Sequence, residues 1–166
     1  TGKLILRGSP NDELFIKETS KVLDYKLPLT PNTFLQKNDR VSVWLGPDEW
    51  LLNSIPDDES SLEKDLNTTL TDVHHSVTNV SDSSTIIELS GPHARSVIMK
   101  GCAVDIHPRV FKPGDAFQSN LAAASVIMWQ LDLIPTFNIM VRASFASYLW
   151  KWLLDAGAEF GVQIQQ

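Results

Sequence analysis

A segment in the first third of the chain has the pattern of a β-hairpin, which requires its two strands to pair in antiparallel directions. Val41, Val43 and Leu45 recur at every second position, the period of a strand whose side chains alternate between two faces. The turn sequence GPDE (46–49) follows, with proline at the second position of a type I turn. Residues 50–53 return as the second strand. The stretch therefore predicts a sheet whose neighbouring strands run in opposite directions.

Four helical patterns separate the extended ones, and each has residues that favour a helix end. Polar residues with a free side-chain oxygen cap the first turn of a helix, and glycine tolerates the left-handed conformation that ends one. The second helix carries one apolar stripe, formed by Leu62, Leu66 and Leu70. The predicted signals are Asn11 or Asp12 for the first helix, a Ser60–Glu63 capping box for the second, Pro92 and a left-handed Gly101 for the third, and Ser144 and Gly157 for the fourth.

The extended patterns outnumber the helices and are joined mostly by short turns. The order β-α-β-β-α-β-α-β-β-α contains more hairpins than βαβ crossovers, which predicts an α+β fold with antiparallel or mixed sheets and helices on their faces. Cassettes at 41–70 and 85–101 hint at an internal repeat. The remaining expectations are an irregular segment at 27–38, two strands or one long bent strand across 74–89, a buried strand at 121–131 and a partner strand at 137–141.

Composition limits the classes of protein to which the chain can belong. It has 166 residues, 43% hydrophobic, which predicts one domain over residues 1–166, with a split into two small subdomains near 80–115 left open. Cys102 is the sole cysteine, which is typical of a reducing compartment and predicts a cytoplasmic protein. The net charge of −6 and scattered basic residues argue against nucleic acid and membrane as partners.

Candidate catalytic residues do not assemble into a site. Asp48 and Glu49 are adjacent on a tight turn, whereas a glycosidase pair encloses its substrate from two elements. His74 and His75 are consecutive on a strand and point to opposite faces. Neither His107 nor Cys102 has further ligands at zinc spacing, and no phosphate-binding glycine loop occurs. The prediction is that the chain has no catalytic, cofactor-binding or metal-binding residues.

Tryptophans are the candidates for contact with a partner. Trp44 and Trp50 flank the hairpin turn, and Trp44 is expected to face away from the core if Val43 and Leu45 face it. Trp150 and Trp152 are two residues apart on a helix and cannot share one face. Because tryptophan is enriched at interface hot spots, these four residues are the predicted interface candidates.

Several long strings resemble one family. WLGPDEWLL (44–52), the GC-x-x-D-x-HPR-x-F-x-PG string (101–114) and VRASFASYLWKWLLDAGAEFG (141–161) are similar to the gamma subunit of heterotetrameric sarcosine oxidase. LILRGSP and LPLTPNT extend the likeness to most of the chain. The resemblance implies a fold like the folate-binding domain of the glycine cleavage T protein.

The resemblance also implies a function, which composition does not. Such a subunit belongs to an enzyme that demethylates sarcosine oxidatively to glycine, producing hydrogen peroxide and passing the one-carbon unit to tetrahydrofolate. FAD, FMN, NAD and zinc are expected on the other subunits and none on this chain. The expected partners are the alpha, beta and delta subunits, with alpha in direct contact.

Two interpretations remain open. The first is a noncatalytic structural subunit of that oxidoreductase complex. The second is an independent folate-binding or aminomethyl-transfer protein of the T-protein type, for which Asp82 and Glu88 are the candidate acidic residues toward the pterin.

Overall fold

The computed structural model describes residues 1–165 and divides the chain into two compact units, the first Thr1–Ser81 and the second beginning at Asp82. Each unit has its own antiparallel sheet and its own helices. The predicted α+β class with antiparallel sheets is confirmed.

Residues 1–81 form a five-stranded sheet with two helices. The sheet has the strand order β2-β3-β4-β1-β5. The elements are β1 (Gly2–Gly8), α1 (Glu13–Leu23), β2 (Phe34–Lys37), β3 (Arg40–Gly46), β4 (Glu49–Ser54), α2 (Glu59–Thr69) and β5 (His75–Asn79).

Residues 82–165 form a four-stranded sheet with two helices and a final turn of 3-10 helix. The sheet has the order β6-β9-β8-β7. The elements are β6 (Ser84–Ser90), α3 (Ala94–Met99), β7 (Ala116–Leu121), β8 (Ala124–Gln130), β9 (Thr136–Arg142), α4 (Ala143–Gly157) and the 3-10 turn Ala158–Phe160.

The two units repeat one topology. The first six elements of unit 1, β1 to α2, match β6 to α4 of unit 2 in type and order. The sheets also match, because β1-β4-β3-β2 corresponds to β6-β9-β8-β7. Unit 1 adds β5 beside β1, in antiparallel register from Gly8↔His75 to Leu4↔Asn79. The cassettes at 41–70 and 85–101 are therefore not the repeating units: 85–101 contains β6 and α3, the counterparts of β1 and α1, whereas 41–70 contains β3, β4 and α2.

Each core lies between a sheet face and its helices. In unit 1 the predicted leucine stripe of α2 is buried and packs with Phe15 of α1 against sheet residues that include Leu6 and Trp50. In unit 2, Leu149 and Leu153 of α4 belong to the cluster that contains Ile139 of β9. The faces that the i, i+4 spacing predicted to be buried are thus the core faces.

The helix-end predictions have mixed outcomes. The Asp12 side chain accepts from the amides of Leu14 and Phe15 at 2.9 and 3.3 Å, which confirms the cap of α1. The Ser60–Glu63 capping box is wrong, because α2 begins at Glu59 with Asp58 as its N-cap residue. Asp58 makes no capping bond and instead accepts two hydrogen bonds from Arg40, at 3.0 and 3.2 Å.

The fourth helix also begins differently from the prediction. Ser144 lies inside the first turn of α4, whose N-cap residue is Arg142, without a side-chain cap. The left-handed end predicted at Gly101 is wrong as well. The glycines with positive φ are Gly91 (113°), Gly114 (98°) and Gly161 (76°).

Two strands escaped prediction because their sequences lack the expected pattern. β2 lies within the segment 27–38 that was predicted to be irregular. The strand predicted at 121–131 is the end of β7, a tight turn and β8. Ala122 takes φ 51° in that turn, a conformation that alanine rarely adopts. The turn could not be predicted because the position lacks the Gly, Asn or Asp that usually indicates such a conformation.

Candidate partner-binding surface

The hairpin of unit 1 forms as predicted, with Pro47 and Asp48 between strands β3 and β4. Trp44 and Trp50 lie directly opposite each other across the strands. Both belong to the core side of the sheet, Trp44 partly buried and Trp50 fully buried. The expectation that Trp44 would face away from the core is wrong. Val43, on the opposite face of β3, is buried as well, so the alternation of apolar residues along this strand does not identify which face packs on the core.

Trp50 is a core residue rather than an interface residue. Its side chain is 0% exposed, its indole N–H donates to the Pro28 carbonyl at 2.8 Å, and its ring lies 5.9 Å from that of Phe15. A buried indole needs such a partner for its N–H, and this one has it. The prediction of Trp50 as a docking residue is therefore corrected.

The acidic pair of the turn makes a surface contact. Asp48 accepts a hydrogen bond from Arg7 of the neighbouring strand at 3.2 Å, and both side chains are more than half exposed. An ion pair of this kind adds little stability. Asp48 and Glu49 therefore belong to a turn at the surface and do not line the groove described below.

His75 and Cys102, two of the residues considered as metal ligands, each contact residues of their own unit. His75 contacts the Val73 carbonyl through Nδ1 at 2.8 Å and Asn67 Oδ1 through Nε2 at 3.1 Å, so both ring nitrogens are engaged in unit 1. Cys102 is partly buried beside the core of unit 2. Within residues 1–165, no three or more His, Cys, Asp or Glu side chains are grouped to hold a metal ion.

Helix α4 places its two tryptophans differently. Trp152 is partly buried and packs on Gly101, where an added Cβ would lie 2.5 Å from its ring. Trp150 is 38% exposed, which confirms that at least one of the pair is exposed. Gly101 is therefore required for the close approach of this ring and not for a left-handed turn.

Trp150 lines a groove of about 850 Å³ in unit 2. One wall is formed by Thr85–Ser90 of β6, and the floor is formed by one side of α4. The opposite wall is the segment 161–165 that follows α4, called here the tail. The α4 residues that line the groove are Ala146, Ser147, Trp150, Leu153, Leu154 and Gly157.

Four contacts hold the residues that directly precede the tail. The Phe160 ring stacks on His93, just beyond β6, with centroids 4.4 Å apart. Lys100 donates to the Ala156 carbonyl at 2.5 Å, pairs with Glu159, and lies 5.0 Å from the Phe160 ring. The outer wall of the groove is thus fixed at one end.

The groove is nearly free of charge. Among the lining residues that the structure describes, Glu88 is the one Asp or Glu, and there is no Lys or Arg. Glu88 was one of the two candidate folate residues. The other, Asp82, lies in the 3-10 turn Ser81–Ser83 and does not line the groove.

A partly buried arginine connects three elements of unit 2. Arg95 of α3 donates to the Ile106 carbonyl and to Gln130 Oε1, the latter at 2.7 Å, and lies 5.3 Å from the Phe137 ring. Burial lowers the pKa of its guanidinium. The cluster ties the loop after α3 to strands β8 and β9.

The groove residues were missed by sequence reasoning, apart from Trp150 and Glu88. A signal was present in α4, where Leu149 and Leu153 face the core while Trp150 and Leu154 occupy an adjacent face. A helix that is apolar around much of its circumference has more than one face to cover.

The sequence matches the profile of the sarcosine oxidase gamma subunit family over residues 7–159. This chain belongs to that family. It is 37% identical over 118 residues to the sarcosine oxidase subunit gamma of Corynebacterium sp. (strain P-1), an alignment covering 71% of this chain and 57% of the relative. The corresponding subunit from Arthrobacter sp. is 35% identical over the same length. The alignments therefore span little more than half the length of these relatives.

None of the helices within residues 1–165 has the length and apolar composition needed to cross a bilayer.

Solved structures extend the likeness to nearly the whole of this chain. A chain of the heterotetrameric sarcosine oxidase from Corynebacterium sp. U-96, in complex with pyrrole 2-carboxylate, superposes with a TM-score of 0.86 and 28% identity, covering 99% of this chain and 83% of that chain. The glycine cleavage system aminomethyltransferase T from Bartonella henselae gives a TM-score of 0.65 at 13% identity, over 92% of this chain and 43% of that chain. The second likeness confirms the predicted T-protein-like fold.

Proposed function

We propose that the chain is a noncatalytic structural subunit of a heterotetrameric sarcosine oxidase. The observation that carries the proposal is the superposition, over 99% of the chain, on a chain of such an oxidase. Membership of the gamma family supports the same role. In the assembly the chain binds the other subunits, with the alpha subunit as its direct contact, in the cytoplasm.

The proposed assembly carries out the chemistry on its other subunits. They demethylate sarcosine oxidatively to glycine, reduce oxygen to hydrogen peroxide and transfer the one-carbon unit to tetrahydrofolate. FAD, FMN, NAD and zinc are assigned to those subunits. Two contacts of this chain favour a structural role, because Asp48 is paired with Arg7 and both ring nitrogens of His75 are engaged within unit 1.

Co-expression with the alpha, beta and delta subunits tests the proposal. The chain is expected to elute with them as one flavin-coloured complex in size-exclusion chromatography. A substitution at its surface is expected to change the yield of complex before it changes turnover per complex. Elution of this chain alone, with a complete and active complex of the other three, would contradict the proposal.

The second candidate is an independent folate-binding or aminomethyl-transfer protein, favoured by the T-protein-like fold. Titration of the isolated chain with tetrahydrofolate, followed by tryptophan fluorescence, separates the two. The structural role predicts no saturable quenching. Saturable quenching that Glu88→Gln abolishes would replace the first proposal with the second.

A further inference from the structure

The free edge of β6 is the position that β5 fills in unit 1. β1 pairs with β4 on one side and β5 on the other, whereas β6, its counterpart, pairs with β9 and is the edge of its sheet. An edge strand presents unpaired N–H and C=O groups, a ready template for a further strand. Over the six residues Thr85–Ser90 of β6 that line the groove, this template is about 20 Å long, at roughly 3.3 Å per residue.

The groove beside this edge has apolar surfaces where the side chains of an added strand would lie. Ile87 and Leu89 belong to the core side of β6 and line the groove. Trp150 and Leu154 of α4 line its floor. In unit 1 the corresponding space beside the core holds Val77 of β5.

The tail has the sequence pattern of a strand but is not one here. Val162 and Ile164 alternate with Gln163 and Gln165, and no residue of 161–165 is assigned to a strand. Val162 is held against Gly157, where an added Cβ would lie 2.8 Å from its methyl carbon. The tail therefore forms the outer wall of the groove, and the groove of about 850 Å³ remains with the tail in place.

We propose that an extended segment of a partner subunit occupies this groove as a fifth strand, antiparallel to β6. The proposal rests on the proposed function, because it assumes that the chain works in an assembly. β-strand addition gains affinity from main-chain hydrogen bonds and specificity from alternate side-chain pockets. The antiparallel direction follows from unit 1, where β5 runs antiparallel to β1.

The groove defines the chemistry of this segment. Its residues at alternate positions are apolar and face Trp150 and Leu154. A lysine or arginine lies opposite Glu88, because that carboxylate is exposed and no lining Lys or Arg balances it. The chain's net charge of −6 also favours a partner segment that carries positive charge.

Two serines of α4 provide a matched test. Ser147 lines the groove and Ser144 does not, and both are exposed. Ser147→Arg places a long charged side chain in the groove, and Ser144→Arg adds the same charge one helical turn away. The measurement is the affinity of each variant for the co-purified partner subunits. Ser147→Arg is expected to weaken binding by about tenfold or more, and Ser144→Arg by less than about threefold.

Hydrogen–deuterium exchange of the wild-type complex tests for strand pairing itself. Peptides covering Ile86–Leu89 are expected to exchange several-fold more slowly in the complex than in the isolated chain. Equal binding by both arginine variants, with unchanged exchange in this strand, overturns the inference while the proposed function stands. Failure of the wild-type chain to join any complex overturns both.

Two other occupants have distinct signatures, and each would overturn the inference. If the tail itself fills the edge, the isolated chain protects Ile86–Leu89 fully, and deletion of residues 161–166 removes that protection. If a second copy fills it, protection in the isolated chain rises with concentration, together with the apparent mass.

Discussion

The two units of this chain share one topology but differ at one strand, because β1 is paired on both sides and β6 on one. In unit 1, β5 covers β1 and fills the space next to α2. In unit 2 the segment after α4 stops short of pairing and leaves a groove between β6 and the helix. The comparison shows that unit 1 supplies its own strand beside β1, whereas no strand within residues 1–165 fills the corresponding position beside β6.

Two tryptophans, one in each unit, differ in the exposure of their side chains. Trp50 is 0% exposed, with its N–H bonded to the Pro28 carbonyl, and Trp150 is 38% exposed in the groove. The first stabilises its own unit. The second is available to stabilise an assembly, so their substitutions should separate folding from binding.

Trp50→Ala is the largest expected effect. Loss of a buried aromatic side chain leaves a cavity, and the free energy of unfolding should fall by about 3–5 kcal/mol. Trp150→Ala is the matched control and should cost less than about 1.5 kcal/mol because its side chain is partly hydrated. Urea unfolding followed by circular dichroism measures both. Equal losses would mean that the two tryptophans are not a core residue and a groove residue.

Gly101→Ala tests the packing that sequence reasoning mistook for a helix end. The new Cβ would lie 2.5 Å from the Trp152 ring, so the ring or the backbone must shift. Overpacking of this kind costs about 1–3 kcal/mol. Gly46→Ala in the hairpin is the control, since its nearest neighbour is 3.8 Å away. A Gly101→Ala protein as stable as the wild type would show that Trp152 moves freely.

Asp12→Ala compares the helix starts of the two units. Asp12 caps α1 through two hydrogen bonds, and its removal should cost about 1 kcal/mol. Ser144→Ala in α4 removes no cap and should change stability by less than about 0.5 kcal/mol. Thermal unfolding of the two variants beside the wild type measures this difference. A larger loss for Ser144→Ala would restore the capping role that the structure denies it.

The smallest effect concerns the pH dependence of unit 1. Burial raises the pKa of Tyr25, partly offset by its 2.7 Å hydrogen bond with Ser42. The folded state then keeps the phenol proton where the unfolded chain, with a pKa of about 10, has lost it. Stability should be constant below that pH and fall as the pH rises through it. Tyr25→Phe should flatten this fall in urea titrations between about pH 8 and 11. An unchanged slope would assign it to other groups.

Local pattern was enough to predict the elements whose signals lie within a few residues. The leucine stripe of α2, the cap at Asp12 and the GPDE turn are all encoded at short range, and all three were predicted. The turn at Ala122 was missed because tertiary context imposes a left-handed alanine that the sequence does not mark. The cap predicted at Ser60 is wrong because α2 begins one residue earlier, at Glu59, with Asp58 as its N-cap residue. Asp58 is bonded to Arg40, a contact distant in sequence that local pattern does not show.

The groove lay beyond sequence reasoning for a topological reason. Its walls come from β6, α4 and the tail, and their meeting depends on which strand forms the sheet edge. The four tryptophans were chosen by residue type and by their positions beside the hairpin turn and along the last helix. The structure assigns them to three environments: full burial for Trp50, partial burial for Trp44 and Trp152, and exposure for Trp150.

Hydrogen–deuterium exchange of the isolated chain measures the difference between β1, which is paired on both sides, and β6, which is paired on one. Peptides from β1 should exchange slowly along their length, because β4 and β5 bond both edges of that strand. Peptides from β6 should lose about half of their protection early, because alternate amides of an edge strand point away from its neighbour. Equal, slow exchange of the two strands in a monomer would show that the edge of β6 is already closed and would contradict the account.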